Sequence, residues 1–164
     1  MWVYQKASAG QLELLWNRNI ARHNQSDQWR AWKEEYLFYN RTGMAITFAA
    51  VQDGDPVGEG TLLLSPDCAA VRGREALCDG RTTANVNALR IQEKWEGQGH
   101  ISALMRVLEQ TAAEMGIRHL TIGVEAKETR NLAIYLHWGY NRFVHMENED
   151  GTLVLYYAKD LSGA

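Results

Sequence analysis

The hydrophobic pattern near the amino terminus predicts two helices. Residues 8–11, Ser-Ala-Gly-Gln, form a capping box, in which the serine oxygen accepts from a free helix amide and the glutamine reaches back to the cap. We expect this helix to run to about Arg22, with one apolar face formed by Leu12, Leu15, Trp16 and Ile20. A second helix is predicted from Ser26 or Asp27, because aromatic residues then recur at helical spacing: Trp29, Trp32, Tyr36 and Tyr39.

Strand-like runs dominate the middle of the chain. An apolar run at residues 44–51, a tight turn at 53–56 and a second run at 57–64 predict a strand, a turn and a strand. Residues 65–83 are polar, contain two glycines and have no clean period, which indicates an irregular connection. A strand resumes near residues 85–91.

Helical and strand-like patterns alternate from about residue 100 onward. An apolar stripe that starts at Ile101 and is closed by Gly116 predicts a helix with a glycine cap. Residues 120–124 alternate as a strand, and a short helix at 132–138 is stopped by Gly139.

A last hairpin completes the pattern. Residues 142–146 and 152–157 read as two strands that turn at Asp150-Gly151, a pair typical of tight hairpin turns. The order of elements predicts the α/β class, a mixed sheet with helices on both faces. The length of 164 residues fits one domain over residues 1–164.

Composition excludes several classes of protein. The formal charge of −3 argues against a nucleic-acid or anionic-membrane binder, and no apolar run approaches the ~20 residues of a spanning helix. The chain begins without a signal-peptide pattern, so we expect a cytoplasmic protein. Cys68 and Cys78 are predicted to be plain thiols, and the histidines lack metal-ligand spacing, so we assign no metal.

The clearest chemical signal lies in residues 89–104. A strand ends, a loop with Gly97-Gln98-Gly99 follows, and an amphipathic helix begins. The amides of such a loop and of the helix start converge on one place and carry partial positive charge, so they favour an anion. Glycine also lets a bulky pyrophosphate approach the backbone closely. Taken alone, however, two glycines also fit an ordinary turn.

A second motif downstream makes the first one more specific, and together they resemble the GNAT superfamily of N-acetyltransferases. In the family's loop a valine, an aromatic residue and Gly-x-Gly follow in order, and Ile91, Trp95 and residues 97–99 take those places here. The family's Tyr-x-x-x-Gly-Phe is matched by residues 135–140. The resemblance spans residues 86–143 and implies a GNAT fold, with a central mixed sheet of about six to seven strands.

The resemblance also implies acetyl-coenzyme A as co-substrate. The strand before the loop is expected to bond the pantetheine arm through its backbone at Leu89 and Ile91, and His100 is expected to offer its backbone amide. The other residues implied to contact the cofactor are Gly97, Gln98, Gly99, Ile101, Ser102, Asn131 and Tyr135.

The catalytic roles that the resemblance implies belong to direct acetyl transfer onto a primary amine. Tyr135 matches the family tyrosine, whose phenol can protonate the departing thiolate. For a base that takes the ammonium proton, Glu125 is the leading candidate and Glu59 the second, although a substrate amine of low pKa needs no dedicated base.

The acceptor remains open between a small-molecule and a peptide amine. Trp29, Trp32 and Tyr36 are candidates for its wall, since aromatic faces attract ammonium groups, but packing on the sheet is the simpler interpretation. A homodimer is also expected, from an apolar late hairpin that presents Leu153, Leu155 and Tyr157.

Three residues depart from the family pattern. Glu96 stands in place of Arg or Gln, Ile101 in place of a small residue, and Glu128 in place of a frequent asparagine. They leave a second hypothesis open, a catalytically degenerate acyl-CoA-binding or sensor protein of the same fold, which the intact Tyr135 opposes. A third, an unrelated nucleotide binder, lacks the Lys-Ser/Thr of a P-loop and the glycine fingerprint of a dinucleotide fold.

Overall fold

A computed structural model describes residues 1–161 of the chain. Within them the strands are β1 Trp2–Lys6, β2 Ala45–Gln52, β3 Asp55–Leu63, β4 Thr83–Ile91, β5 His119–Glu125, β6 Arg142–Glu149 and β7 Thr152–Asp160. The α-helices are α1 Ala9–Arg22, α2 Asp27–Thr42, α3 His100–Glu114 and α4 Thr129–His137. The strands form a sheet in the order β1-β2-β3-β4-β5-β7-β6, with β4 and β5 parallel and β1–β2, β5–β7 and β6–β7 antiparallel. The predicted mixed α/β fold is therefore confirmed.

The chain contains two compact units. The first comprises Met1–Leu62 and Ala88–Leu108, and the second comprises Leu63–Asn87 and residues 109–161. The expectation of one domain over residues 1–164 stays a prediction, and residues 162–164 lie outside the described part.

Helices α1 and α2 of the first unit begin where the sequence predicts. The Ser8 hydroxyl accepts from the Gln11 amide at 3.1 Å while the Gln11 side chain accepts from the Ser8 amide at 3.0 Å, which completes the capping box. Ser26 caps α2 by accepting from the Gln28 amide at 3.2 Å. The buried face of α1 packs on β2, where Leu15 joins the Ala49 cluster.

The sequence pattern does not predict strand β1. It pairs antiparallel with β2, from Trp2↔Gln52 to Lys6↔Phe48. Its half-buried residues, Trp2 and Tyr4, alternate with exposed ones, but the alternation covers only five residues and lacks a preceding turn signal.

The second unit is built around β5, β7 and β6. The β6–β7 hairpin turns at Asp150 and Gly151, both at positive φ (52° and 84°), the conformation of a two-residue primed turn. Both strands are longer than predicted, and α4 begins at Thr129, three residues before the predicted residue 132. The predicted irregular connection holds only a short 3-10 turn, Ala69–Val71.

Two general features of the described residues bear on function. No helix in residues 1–161 has the length and apolar character required to cross a membrane. In the same residues, His, Cys, Asp and Glu side chains form no group of three or more that could hold a metal ion.

Candidate functional site

The predicted anion cradle, residues 97–102, follows β4 in the chain and includes the first residues of α3. Gly97 and Gly99 have φ of 72° and 88°, in the left-handed region that favours glycine. A Cβ atom added at either glycine meets no heavy atom within 4 Å, so open space lies in front of the backbone at both positions. The Gly99 carbonyl accepts from the Ala103 amide at 3.0 Å, which places the start of α3 directly after Gly99.

The first amides of α3 complete this cradle. The amides of His100, Ile101 and Ser102 belong to the first turn, where a helix supplies no intrahelical acceptor. They follow the two positive-φ glycines directly in the chain and lie at the positive end of a 15-residue helix. The cradle therefore has the chemistry to bind a pyrophosphate.

The side chain of His100 is fixed against β1. Its Nδ1 lies 2.7 Å from the Tyr4 hydroxyl, and its ring stacks on the Trp2 indole at a centroid distance of 3.6 Å. Trp95, the aromatic residue of the loop motif, packs edge-on against Trp2 at 5.0 Å. Because the imidazole is engaged with β1, the backbone amide is the group that His100 brings to the cradle.

Two departures from the family pattern occupy different environments. Glu96 is exposed and lies immediately before Gly97. Water therefore screens its carboxylate, which weakens repulsion of a phosphate. Ile101 is half-buried in the first turn of α3.

The first part of strand β4 pairs regularly with β5, and its backbone becomes irregular further along. Its parallel ladder with β5 ends at Val86↔Ile122. Ala88 then has φ of 52°, an uncommon conformation for a residue other than glycine that costs about 1 kcal/mol or more. Leu89 and Ile91, the residues predicted to bond pantetheine, follow this irregularity and are half-buried.

Tyr135 lies on α4 and is half-buried, with its ring 5.8 Å from that of Trp138. Burial raises the pKa of Tyr135, and the Glu128 carboxylate raises it further, so the phenol stays protonated at neutral pH. No hydrogen bond of its hydroxyl is recorded within residues 1–161. Asn131, one turn earlier, donates to Glu128 Oε2 at 2.7 Å.

Glu125, the leading base candidate, is the last residue of β5. Its carboxylate is 39% exposed and lies 3.5 Å from Lys127 Nζ. It is therefore partly hydrated.

Glu59, the second base candidate, is only 2% exposed and is held from two sides. Asn19 Nδ2 donates to Oε2 at 2.9 Å, and a terminal nitrogen of Arg90 lies 3.1 Å from Oε1. The Arg90 guanidinium also faces the rings of Trp16 and Trp29, at 5.0 and 5.1 Å. With both oxygens engaged, Glu59 is suited to position Arg90 rather than to accept a substrate proton.

This Glu59–Arg90 cluster, composed of Glu59, Arg90 and Asn19, was not predicted as a unit. The available signal was an arginine within the apolar end of β4 and a lone glutamate between two glycines in β3. Their pairing depends on which strands are neighbours, and the sequence pattern does not show this.

The aromatic stripe of α2 packs mainly on α1. Tyr36 is buried, with its ring 5.0 Å from that of Trp16, and Trp29 and Trp32 meet edge to face at 5.1 Å. Trp29, one of the three predicted acceptor residues, also faces Arg90. Packing on α1 therefore explains the burial of Tyr36, whereas Trp29 also borders the Glu59–Arg90 cluster.

Comparison with known proteins identifies a matching family model and similar solved structures. Residues 10–140 match the family model described as the acetyltransferase (GNAT) family. No curated protein sequence matches significantly. The chain is similar to a GNAT-family acetyltransferase from Elizabethkingia anophelis with acetyl-CoA bound, at 18% identity and a TM-score of 0.67, with 98% of each chain covered.

Two further solved structures share the fold. A ribosomal-protein-alanine N-acetyltransferase from Brucella melitensis has 16% identity and a TM-score of 0.71, with 97% of this chain and 99% of that chain covered. A spermidine N-acetyltransferase chimera, partly from Vibrio cholerae, has 14% identity and a TM-score of 0.72, with 98% and 95% covered. At these identities the likeness shows the fold, and the named acceptors differ between the two proteins.

Proposed function

This chain belongs to the acetyltransferase (GNAT) family, and from that premise we propose that it is an N-acetyltransferase that transfers an acetyl group from acetyl-coenzyme A to a primary amine. The observation that carries the proposal is the cradle formed by Gly97, Gly99 and the first amides of α3. Its open space and its row of donors fit a pyrophosphate without help from any side chain.

The cradle and the end of β4 are proposed to hold the cofactor. The backbone of residues 97–102 binds the pyrophosphate, and Leu89 and Ile91 bond the pantetheine arm through their backbone groups. Bound acetyl-coenzyme A supplies an acetyl thioester, whose C–S bond breaks as a C–N bond to the acceptor forms, releasing the coenzyme A thiol. Fixing both reactants on one protein removes much of the entropic barrier to this attack.

Tyr135 and Glu125 are proposed to transfer the two protons of the reaction, one to the departing sulfur and one from the acceptor ammonium. Tyr135 donates its phenolic proton to the departing sulfur and is reprotonated by solvent. The raised pKa of Tyr135 means that the phenol is fully protonated at neutral pH and holds a proton to give. The same shift makes the phenol a weaker acid than an ordinary thiol, so the transfer relies on its position at the departing sulfur. Glu125 takes the proton that the acceptor ammonium must lose, directly or through water.

The degenerate alternative rests on Glu96, Ile101 and Glu128. Glu128 lies outside the cradle, and neither Glu96 nor Ile101 removes a donor from it. Both residues keep their backbone amides, and the positive-φ conformations of Gly97 and Gly99 are intact. An exposed carboxylate at Glu96 weakens anion binding modestly, and this is a matter of affinity rather than of loss of the site.

The experiment that tests the proposal measures turnover on a panel of primary amines. Turnover is detected as the release of free coenzyme A thiol. The panel contains amino acids, amino-acid amides, polyamines, aminoglycosides and peptides. Amine-dependent thiol release, with an acetylated amine seen by mass spectrometry, is the expected result. Tight binding of acetyl-coenzyme A without turnover on any of these amines would favour the degenerate protein instead.

Location and assembly are part of the same proposal. We propose a cytoplasmic protein, and the reduced, buried thiols of Cys68 and Cys78 are typical of a reducing compartment.

We also propose a homodimer through the β6–β7 hairpin. Of the residues expected there, Leu153 is 41% exposed, whereas Leu155 and Tyr157 are half-buried. Phe143 and Met146, at 52% and 55% exposure, add to the apolar surface of the hairpin. Light scattering at micromolar protein is expected to give the mass of two chains, and a monomer mass would contradict this assembly.

A further inference from the structure

Both ends of the loop that carries Gly97 and Gly99 pack on one side chain of strand β1. Trp95, two residues before Gly97, meets the Trp2 indole edge to face at a centroid distance of 5.0 Å. His100, the residue after Gly99, stacks on the same indole at 3.6 Å, with 20° between the ring planes. All of these residues belong to the first compact unit. Trp2 therefore contacts the chain on either side of the two positive-φ glycines.

A hydrogen bond fixes the direction of the His100 ring. Its Nδ1 lies 2.7 Å from the hydroxyl of Tyr4, two residues after Trp2 on the same strand. The histidine is only 9% exposed. A stack alone leaves a ring free to rotate in its own plane, whereas a hydrogen bond to one ring nitrogen selects one orientation. Because His100 is the first residue of α3, the start of that helix is tied to β1.

The β1 aromatic cluster is composed of Trp2, Tyr4, Trp95 and His100, and its chemistry favours orientation over stability. The Nε1 of Trp95 is buried and has no acceptor within residues 1–161, which costs free energy of folding. Burial of the His100 imidazole also has a cost, which its hydrogen bond offsets. Aliphatic side chains would bury similar surface without either cost, but apolar packing has no preferred direction. The cluster is therefore suited to hold the loop in one orientation.

We propose that Trp2 and Tyr4 are positioning residues of the cofactor site. They act through Trp95 and His100 on the backbone amides of residues 97–102. The inference rests on the proposed acetyltransferase activity and assigns part of its cofactor affinity to β1. Amides that are already in place bind a pyrophosphate more tightly, because ordering a loop during binding costs conformational entropy. Neither side chain has to contact the cofactor for this role.

The first test compares two substitutions of Trp2. This residue is half-buried in an edge strand, so both variants are expected to fold. Trp2→Leu has no ring to stack on His100, and we expect it to raise the Kd for acetyl-coenzyme A by about 10-fold, since binding must then order about one more backbone residue. Trp2→Phe restores a ring, and its Kd is expected to stay within about 3-fold of wild type. Equal affinity of the two variants overturns the proposal.

The second test removes only the Tyr4 hydroxyl. Tyr4→Phe is expected to raise the Kd for acetyl-coenzyme A by about 3- to 10-fold, the range that one neutral hydrogen bond allows. Thr61→Val is the matched control, because it removes a buried hydroxyl of the same unit that lies 2.8 Å from the Thr47 hydroxyl. The control should lose at least as much Tm and keep wild-type affinity. If Tyr4→Phe and Thr61→Val bind the cofactor equally well, Tyr4 does not position the cradle.

Two further readouts separate positioning of the cradle from a general loss of structure. In Trp2→Leu the KM for acetyl-coenzyme A should rise while kcat at saturating cofactor does not fall, because Trp2 touches none of the reacting atoms. The Kd for adenosine 3′-phosphate 5′-diphosphate should rise by the same factor as that for acetyl-coenzyme A, since this fragment keeps the pyrophosphate and lacks the pantetheine arm. A lower kcat at unchanged KM, or an affinity loss that the fragment does not share, overturns the proposal.

NMR relaxation of the free chain gives a readout that needs no cofactor. Backbone order parameters of about 0.85 are expected for residues 97–102 in wild type and Trp2→Phe, with a fall toward about 0.6 in Trp2→Leu. If acetyl-coenzyme A binds none of these proteins while this pattern holds, the acetyltransferase proposal fails and the positioning of the loop by β1 stands. Unchanged order parameters in Trp2→Leu overturn the positioning whether or not the cofactor binds.

Discussion

Replacing Gly99 by alanine has two effects that can be measured separately: backbone strain, which lowers stability, and obstruction of the cradle, which lowers affinity for its ligand. Gly99 has φ of 88°, so an alanine there costs about 1–2 kcal/mol of folding free energy. For a chain of this size, that cost lowers Tm by about 2–8 °C. The added Cβ meets no heavy atom within 4 Å, so it projects into the space proposed for the pyrophosphate.

A methyl group in that space keeps a phosphate oxygen away from at least one amide. The loss of one hydrogen bond to a charged group is about 1.5–3 kcal/mol, which corresponds to about 10- to 150-fold in affinity. We therefore expect Gly99→Ala to raise the Kd for acetyl-coenzyme A by at least 10-fold in isothermal titration calorimetry.

Gly116→Ala is the matched control. Gly116 has φ of 85°, also has open space around an added Cβ, and lies just past the opposite end of α3. The control should lose similar thermal stability and keep wild-type affinity for acetyl-coenzyme A. If Gly99→Ala binds the cofactor within about 3-fold of Gly116→Ala at equal Tm, the pyrophosphate is not in this cradle.

Three further substitutions test the roles of single side chains. Tyr135→Phe should lower kcat by about 100-fold or more with Tm nearly unchanged, because it removes a general acid; an unchanged kcat would remove the acid role. Tyr140→Phe deletes a 2.8 Å hydrogen bond to Glu109, so it should cost about 1–3 kcal/mol in urea unfolding while kcat is kept, and a loss of kcat at unchanged stability would contradict this division. At Asp79, partial burial favours the neutral carboxyl, but amide hydrogen bonds from Thr83 and its neighbours outweigh it and lower the pKa to about 2. Because the pKa of Asp79 in the folded chain lies below the ordinary 3.8, its carboxylate stabilises the fold above about pH 4. The urea midpoint of wild type should therefore exceed that of Asp79→Asn above pH 4, and this difference should shrink between pH 4 and 2. A difference that stays constant with pH would refute this.

Local signals allowed most of the fold to be predicted. The capping box at Ser8 and the glycine past α3 define helix ends through hydrogen bonds between near neighbours, so a sequence window contains them entirely. Strand β1 was missed because its stability comes from pairing with β2, more than forty residues away in the chain, as in Trp2↔Gln52. The irregular backbone at Ala88 likewise leaves no mark on the sequence, since alanine is not a residue that positive φ favours.

The candidate site likewise has one part that the sequence predicts and one part that it does not. The cradle could be predicted because its donors are consecutive backbone amides, and two glycines mark the place where they converge. The Glu59–Arg90 cluster could not, because Asn19, Glu59 and Arg90 come from a helix and two strands that are brought together only by the fold. Likewise, the engagement of the His100 ring with Tyr4 depends on the missed strand β1.

The measurement that tests the central claim most directly is the calorimetric titration of the wild-type chain with acetyl-coenzyme A. The cradle predicts a single site per chain with a Kd on the order of 1–100 μM, together with a rise in Tm at saturating ligand. Absence of binding at millimolar acetyl-coenzyme A would show that the loop does not hold the cofactor, and the assignment of residues 97–102 to pyrophosphate would be wrong.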